Sequence, residues 1–375
     1  MSNLPKGWSL VELNEICNIN MGQSPKSESY NENNIGLPLI QGNADIKNRK
    51  TLPRTYTSDI TKKCKIGDII MTVRAPVGAI AKSYHNACIG RGVCSITPKE
   101  NNDFLYHFLV GYEDKWDKLS QGSTFTAVNG NDIKKIKLPL PPLEEQKKIA
   151  DILSTVDKKI AFVEENINAT EELKKGLMQK LLTEGIGHTE FKDSELGRIP
   201  QGWELKTLGE LVFILTDYTA NGSFASLKEN VTYFNEPNFA ALVRTTDLKK
   251  KEFKPERFTD KRGYEFLKKS ALYGGEILMA NVGSIGEVYI VPEVDFPMTL
   301  APNMYLIKYN DNLINTYAYY FMNSSIFINQ LLSKIASTTL QAVNKANFKS
   351  IKIPLPPLEE QKKIADILST VDKKI

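Results

Sequence analysis

The chain has 375 residues, 41% of them hydrophobic and 25% charged, and its 48 basic and 44 acidic side chains leave a net charge of +4. That length exceeds what one ordinary core organises and excludes a single small module. No run approaches the eighteen or more apolar residues of a membrane-spanning helix, and +4 is too small for bulk charge to announce nucleic-acid binding, so any such signal must be local.

The opening MSNLPKGWSLVELNE has neither a basic start leading into an apolar core nor a small-residue cleavage site, so the expected compartment is the cytoplasm. Cys17, Cys64, Cys88 and Cys94 lie in the first quarter without a CxxC pair, a spacing that fits neither a disulfide framework nor a zinc site. Between Lys47 and Lys65 the chain carries Lys47, Arg49, Lys50, Arg54, Lys62, Lys63 and Lys65 against Asp59 alone. The stretch KIGDIIMTVRAPVGAIA that follows reads as strand, glycine-bearing turn and strand, the pattern of a hairpin-rich β domain.

From Ile136 the sequence IKLPLPPLEEQKKIADILSTVDKKI begins, and from Ile351 it recurs as IKIPLPPLEEQKKIADILSTVDKKI, with Leu138 against Ile353 as the one difference and an offset of 215 residues. Its prolines favour extended backbone, and Glu144 and Glu145 then open a helix where the helix dipole favours negative charge. Apolar residues at Ile149, Leu153, Val156, Ile160, Val163, Ile167, Leu177 and Leu181 alternate steps of four and three, interrupted at Thr170 and Lys174. One continuous helix from Leu143 to Leu182 spans roughly 60 Å at the usual rise. In the second copy the seam is Ile364, Leu368, Val371 and Ile375. Seams on pseudo-symmetric halves bury each other best as an antiparallel pair. The second copy stops at Ile375, before the equivalents of Val163 to Leu182, so either that pairing is short or another chain supplies the partner; both stand open.

A shorter echo links Leu4-Pro5-Lys6-Gly7-Trp8 with Ile199-Pro200-Gln201-Gly202-Trp203, and YGGEILMANVGSIGEVY matches the first hairpin stretch, Gly67 with Gly275 and Gly78 with Gly286. Val128 and Asn129 likewise face Val343 and Asn344 at the 215 offset. The chain is built twice, with a period far too long for a solenoid. Both variable parts carry a basic stretch. The second runs from Lys249 to Lys269 and includes Lys249, Lys250 and Lys251. A charge run is usually a solvated face, but recurrence at equivalent places favours a surface that follows phosphates. Polar loops beside these patches are candidate base readers: Gln41 and Asn43 against Arg244, Thr245 and Thr246, and Arg74 against Asn281 and Ser284, with Arg91 and Asn303 as further candidates. Arginine presents a donor fork to guanine, and asparagine or glutamine satisfies both edge groups of adenine; the plain alternative is ordinary turn composition.

Catalytic signatures are sparse. The chain has no GxxxxGK[ST] loop, no NPPY tetrapeptide, no strand-GxGxxG-helix unit, and only His85, His107 and His188, without HExxH spacing. The paired glutamates fit the dipole role better than acid-base work.

The duplicated PLPPLEEQKKIA segment and the LPxGW and IPxGW openings together resemble the specificity subunit of type I restriction-modification systems over the whole chain. The resemblance implies an α+β fold of two pseudo-repeated mixed α/β target-recognition domains, at 1–135 and 203–350. Conserved helical regions at 136–202 and 351–375 would join them as an antiparallel coiled coil. It further implies a non-catalytic DNA reader, each domain taking half of a bipartite site. The helices would set the spacer and dock two modification subunits, with two restriction subunits completing the complex. No cofactor is expected on this chain; the partners would use S-adenosylmethionine, ATP and magnesium. The alternatives are the recognition part of an enzyme with a cryptic site, and an incomplete cassette that needs a second chain.

Overall fold

The computed structural model describes residues 4–120, 127–335 and 342–374, the side chains of 117–120 excepted. The chain divides into two units, 1–164 and 165–375.

Each unit is closed by the same device. In unit 1 the strand Ser9–Glu12 pairs antiparallel with Lys137–Leu140, Val11 opposite Leu138; in unit 2 Glu204–Thr207 pairs with Lys352–Leu355, Lys206 opposite Ile353. The residue after each first strand starts a one-turn helix through a reciprocal cap: Glu12 N–H donates to Glu15 Oε1 at 2.6 Å and Thr207 N–H to Glu210 Oε2 at 2.7 Å. The prolines then release the chain into a helix whose first turn holds two glutamates. The glutamine that follows them is buried in both copies and folds back onto a proline carbonyl, Gln146 Nε2 to Pro141 and Gln361 Nε2 to Pro356, both at 2.9 Å.

Between these closures unit 1 holds a six-stranded sheet in the order Cys17–Met21, Val93–Pro98, Ile69–Thr72, Ile80–Lys82, Lys50–Thr51, Ile46–Lys47. A five-stranded sheet runs Tyr30–Asn31, Thr55–Thr57, Leu37–Ile40, Ala87–Ile89, Lys63–Cys64. Unit 2 repeats the centre of this plan in two four-stranded sheets. One is Val212–Asp217, Met304–Tyr309, Ile277–Ala280, Val288–Ile290; the other is Phe258–Thr259, Ala240–Val243, Met298–Leu300, Ala271–Leu272. The central strands are buried on both faces, which is why Ile69-Ile70-Met71 and Ile277-Leu278-Met279 read as unbroken apolar runs. Buried carboxylates tie the turns before them: Asp68 accepts from Lys65 N–H at 2.8 Å, and Glu276 accepts from Tyr273 and Gly274 N–H at 3.0 and 2.8 Å.

The long helix runs from Leu143 to Thr183 and the distal one from Leu358 to Asp372. Within unit 2 the end of the first packs antiparallel on the second. Lys174 Nζ meets Asp372 at 2.6 Å, while Ile186 N–H and His188 Nε2 meet Glu360 Oε1 at 2.9 and 2.8 Å. Met178, Leu181 and Leu182 share one core with Ile364, Ala365 and Leu368; Leu177 packs against that core, and Val371 is half-buried. Nearer the start of the helix the seam is bare: Leu153, Val156, Ile160 and Val163 are 40%, 47%, 52% and 53% exposed. Ile149 packs on the unit 1 core and Ile167 is half-buried. The antiparallel register brings Asp372, the last residue of the distal helix, opposite Lys174. Ile375 lies outside the described residues.

Candidate nucleic-acid interface

In unit 1 four loops meet at one end of the central strands. Gly22 N–H donates to Val93 O at 3.0 Å and Gln23 N–H to Ile89 O at 2.9 Å; Gly90 N–H donates to Ile40 O at 2.8 Å, and Val73 N–H to Gly92 O at 2.9 Å. These bonds bring 22–24, 41–43, 73–78 and 90–92 onto a common rim. The approach is close enough to require glycine: a Cβ on Gly92 would lie 2.1 Å from Gln41 O and one on Gly22 2.1 Å from Gly90 O. Arg91 is the side chain held between the two glycines, and its N–H donates to Ser24 Oγ at 3.3 Å.

Unit 2 repeats two of these bonds. Ala301 N–H donates to Val243 O at 3.0 Å and Asn281 N–H to Asn303 O at 3.1 Å, the counterparts of Gly90 with Ile40 and Val73 with Gly92. An isolated bridge joins Arg74 to Ala127 in one unit and Val282 to Ala342 in the other. Arg74 is therefore equivalent to Val282, and Arg91 to Pro302. Beside this rim lies a cleft of about 540 Å³ lined by Tyr218, Thr219, Phe224, Tyr233, Asn281 and Asn303, among others. Phe224, on the first turn of the helix Phe224–Asn230, is 82% exposed.

The candidate readers fall into two groups. Gln41, Asn43, Arg74 and Arg91 are exposed on the unit 1 rim. Asn281 is half-buried, and Ser284 and Asn303 are exposed on that of unit 2, Asn303 with φ of 71°. Lys62 and Lys63 are exposed beside the rim, since Ile89 N–H donates to Lys62 O at 2.9 Å. Lys47 and Lys50 are exposed on the hairpin of the outer strands, with Lys50 Nζ 5.1 Å from the Tyr84 ring centre. Arg49, in the turn of that hairpin, is bound by Glu113 and by Ile80 O.

In unit 2 most of the candidate cations are already engaged. Arg244 grips Asp247, with Nε at 3.0 Å and Nη2 at 2.6 Å, and reaches Glu256 at 3.1 Å; these carboxylates hold its own pKa up. Lys250 also pairs with Glu256, and Lys249 pairs with Glu287 at 2.8 Å. Thr245 and Thr246 lie in the one-turn helix after Arg244, and Lys251 is exposed. Charge counting along the sequence could not foresee this, because the neutralising glutamates come from the chain up to 38 residues away.

An arginine census sharpens the contrast. Arg49, Arg54 and Arg244 bind carboxylates, Arg262 donates to Asn230, and Arg198 and Arg257 lie over aromatic rings. Of the chain's eight arginines, only Arg74 and Arg91 have no side-chain partner among the described residues.

The loop anchors were missed in the sequence. Asp45, 4% exposed, accepts from Gln41 N–H at 2.8 Å, and Asp247, fully buried, accepts from Arg244 N–H at 3.0 Å, so one carboxylate fixes the first reading loop in each unit. The signal was an aspartate three or four residues after the loop's first polar residue, the pattern of a local cap. The four cysteines are buried free thiols, and burial pushes Cys17 and Cys94 up to about 12. Among the described residues no three His, Cys, Asp or Glu side chains group as metal ligands, and no helix is long and apolar enough to cross a membrane.

Comparison with known proteins agrees with the doubled plan. The family described as type I restriction modification DNA specificity domain matches residues 5–172 and again 200–375. The putative type I restriction enzyme MjaX specificity subunit of Methanocaldococcus jannaschii is 38% identical over 188 residues, covering 49% of this chain and 44% of that protein. The MjaVIII specificity subunit of the same organism is 31% identical over 286 residues, 72% of this chain and 64% of that protein. The alignments thus span less than two thirds of both relatives. Among solved structures, the type I restriction-modification S subunit from M. genitalium superposes with a TM-score of 0.60 at 15% identity, covering 100% of this chain and 91% of that one, a likeness of fold. With both halves matched over nearly their full length, this chain belongs to the type I restriction modification DNA specificity domain family and carries that domain twice.

Proposed function

We propose that this chain is the DNA-reading specificity subunit of a type I restriction-modification complex, with each unit recognising one half of a split site in duplex DNA. The observation that carries the reading is the pair of equivalent rims. Two of the same backbone hydrogen bonds join loops at the same strand ends in both units, Gly90 to Ile40 with Ala301 to Val243 and Val73 to Gly92 with Asn281 to Asn303, while the side chains presented there differ. A conserved frame with divergent tips is what two readers of different sequences need, because phosphate contacts position a protein and base-edge contacts specify.

In this reading the chain performs no chemistry of its own. Adenine methylation would fall to two modification subunits using S-adenosylmethionine, and cleavage to two restriction subunits using ATP and magnesium. The helices Leu143–Thr183 and Leu358–Asp372 would set the number of bases between the halves and offer the docking surface. The exposed apolar turn residues from Leu153 to Val163 are suited to that docking, or to pairing with a second copy of the helix.

The test is to co-express the chain with the modification subunit of its own operon and map methylated adenines across the host genome. Two short defined halves around a fixed run of unspecified bases are expected. A palindrome would instead point to two copies of one unit acting together, and absence of methylation in the presence of an active modification subunit would overturn the proposal.

A further inference from the structure

We infer that Arg74 and Arg91 form a guanine-reading pair, so that the half-site taken by unit 1 contains at least one G·C pair read by this chain, whereas unit 2 presents no arginine at the two equivalent positions. The inference rests on the reading of the chain as a split-site DNA reader and deepens it to the chemistry of one half.

Three observations converge on the pair. The two arginines are neighbours on the rim, because Val73 N–H donates to Gly92 O at 2.9 Å and so sets the residue after Val73 beside the residue before Gly92. Both are exposed, and they alone of the chain's arginines have no side-chain partner among the described residues. An arginine whose function is structural is normally spent on a carboxylate, a carbonyl or a ring, as the other six are; two forks side by side on a glycine-tightened rim, unengaged among the described residues, are poised for an external acceptor. The frame is also rigid: Arg91 stands between Gly90 and Gly92, where the backbones of three strand ends are in contact. A side chain presented from such a frame loses little further freedom on docking.

The acceptor is identified by geometry. A planar guanidinium fork matches O6 and N7 of guanine in the major groove, a bidentate contact that no other base edge offers it. At the equivalent positions unit 2 presents Val282 and Pro302, with Phe224 and Asn303 nearby, which cannot make that contact. Phosphate binding is the competing role for both arginines, and it differs in its consequences, since it weakens all sequences alike.

The experiment uses the full chain with its modification subunit. First the methylation motif is mapped for the natural chain and for R74A, R91A and R91K. The expected result is that a G·C position in one half becomes unspecified in R74A and R91A while the other half is unchanged. R91K, which keeps the charge but not the fork, should fail to restore discrimination. Because a substituted complex could lose methylation altogether, binding of the natural complex to duplexes carrying 7-deazaguanine at each guanine of the motif is measured in parallel. Loss of N7 at the position read is expected to weaken binding about 5- to 150-fold. A split motif with no G·C pair in either half, or 7-deazaguanine substitutions that never change binding more than about twofold, would overturn the inference and leave the split-site reading standing. So would R74A and R91A changes that lower affinity equally for all duplexes and are rescued by lysine. Failure to obtain any split motif would instead overturn the parent reading.

Discussion

Glu145 and Glu360 occupy the same place in two nearly identical segments, and each accepts a hydrogen bond from the indole of the matching tryptophan at 3.0 Å, Trp8 in unit 1 and Trp203 in unit 2. Their alanine variants should nevertheless differ widely in cost. Glu360 also accepts from Ile186 N–H at 2.9 Å and from His188 Nε2 at 2.8 Å, its side chain is only 14% exposed, and Trp203 is completely buried. Removing that carboxylate strands the buried Trp203 indole and the half-buried His188, while water can reach the exposed Ile186 N–H. At about 1.5 to 3 kcal/mol for a bond to a charged acceptor, and allowing for non-additivity, the loss should be about 3 to 5 kcal/mol. Glu145 is exposed and its one such partner, Trp8, is half-buried, so water replaces the lost bond and the cost should be about 0.5 to 1 kcal/mol. The assay is urea unfolding read by tryptophan fluorescence. W8F/W116F leaves Trp203 to report on unit 2, and W116F/W203F leaves Trp8 to report on unit 1. With a slope of about 2 to 3 kcal/mol per molar urea, E360A should lower the unit 2 midpoint by more than about 1 M, and E145A should move the unit 1 midpoint only a few tenths. Equal shifts for the two variants would refute the reasoning that burial, rather than the shared local sequence, sets the value of this carboxylate.

The same contrast applies to the seam. L368A should destabilise unit 2 by about 2 to 5 kcal/mol because Leu368 is fully buried, whereas L153A, at a site 40% exposed, should cost under about 1 kcal/mol; calorimetry of the two variants checks both. His107 should make unit 1 sensitive to acid. Burial holds its pKa below the usual 6.5, against the pull of Asp157 and Asp103 and together with Lys82. The unfolded chain then binds more protons, so the contribution is present above the ordinary histidine value and is lost as pH falls through the lower folded value. The midpoint of unit 1 should drop across that window, and H107Q should flatten the drop; a midpoint that rises on acidification contradicts the assignment. F224A should leave stability nearly unchanged, since Phe224 is 82% exposed, while weakening binding to the cognate duplex; unaltered affinity in a fluorescence anisotropy titration counts against a role for the cleft. K62A and K63A should each reduce the slope of log affinity against log salt by about 1, with no change of motif, if these lysines meet phosphates.

Much of this architecture was legible along the chain. The 215-residue offset, the PxGW echo and the glycine-matched hairpins announced two copies, and the four-three spacing marked one helix that runs from Leu143 to Thr183, within a residue of the expected end. These features are written in local sequence because proline geometry, helix dipole and apolar period act over a few neighbouring residues. The interface was legible only as loops of suitable composition. Arg74 and Arg244 are both arginines in candidate reading loops, yet Arg244 is held by Asp247 and Glu256 while Arg74 is unpartnered among the described residues; the aspartate three residues after Arg244 marks that difference locally, whereas the approach of Glu256, twelve residues on, is set by the fold.

The duplicated segment divides the two kinds of information most sharply. Identical residues adopt the same strand, the same glutamine fold-back and the same helical start in both units, so the local sequence determined secondary structure, register and cap. The tertiary structure decided what those residues are worth. Leu368 is buried and Leu153 is not, and Trp203 is sealed while Trp8 is half-open. The reason is that the last turns of the long helix pack antiparallel on the distal helix in unit 2, and burial depends on what stands opposite a side chain in space, which a sequence identical at both sites cannot encode.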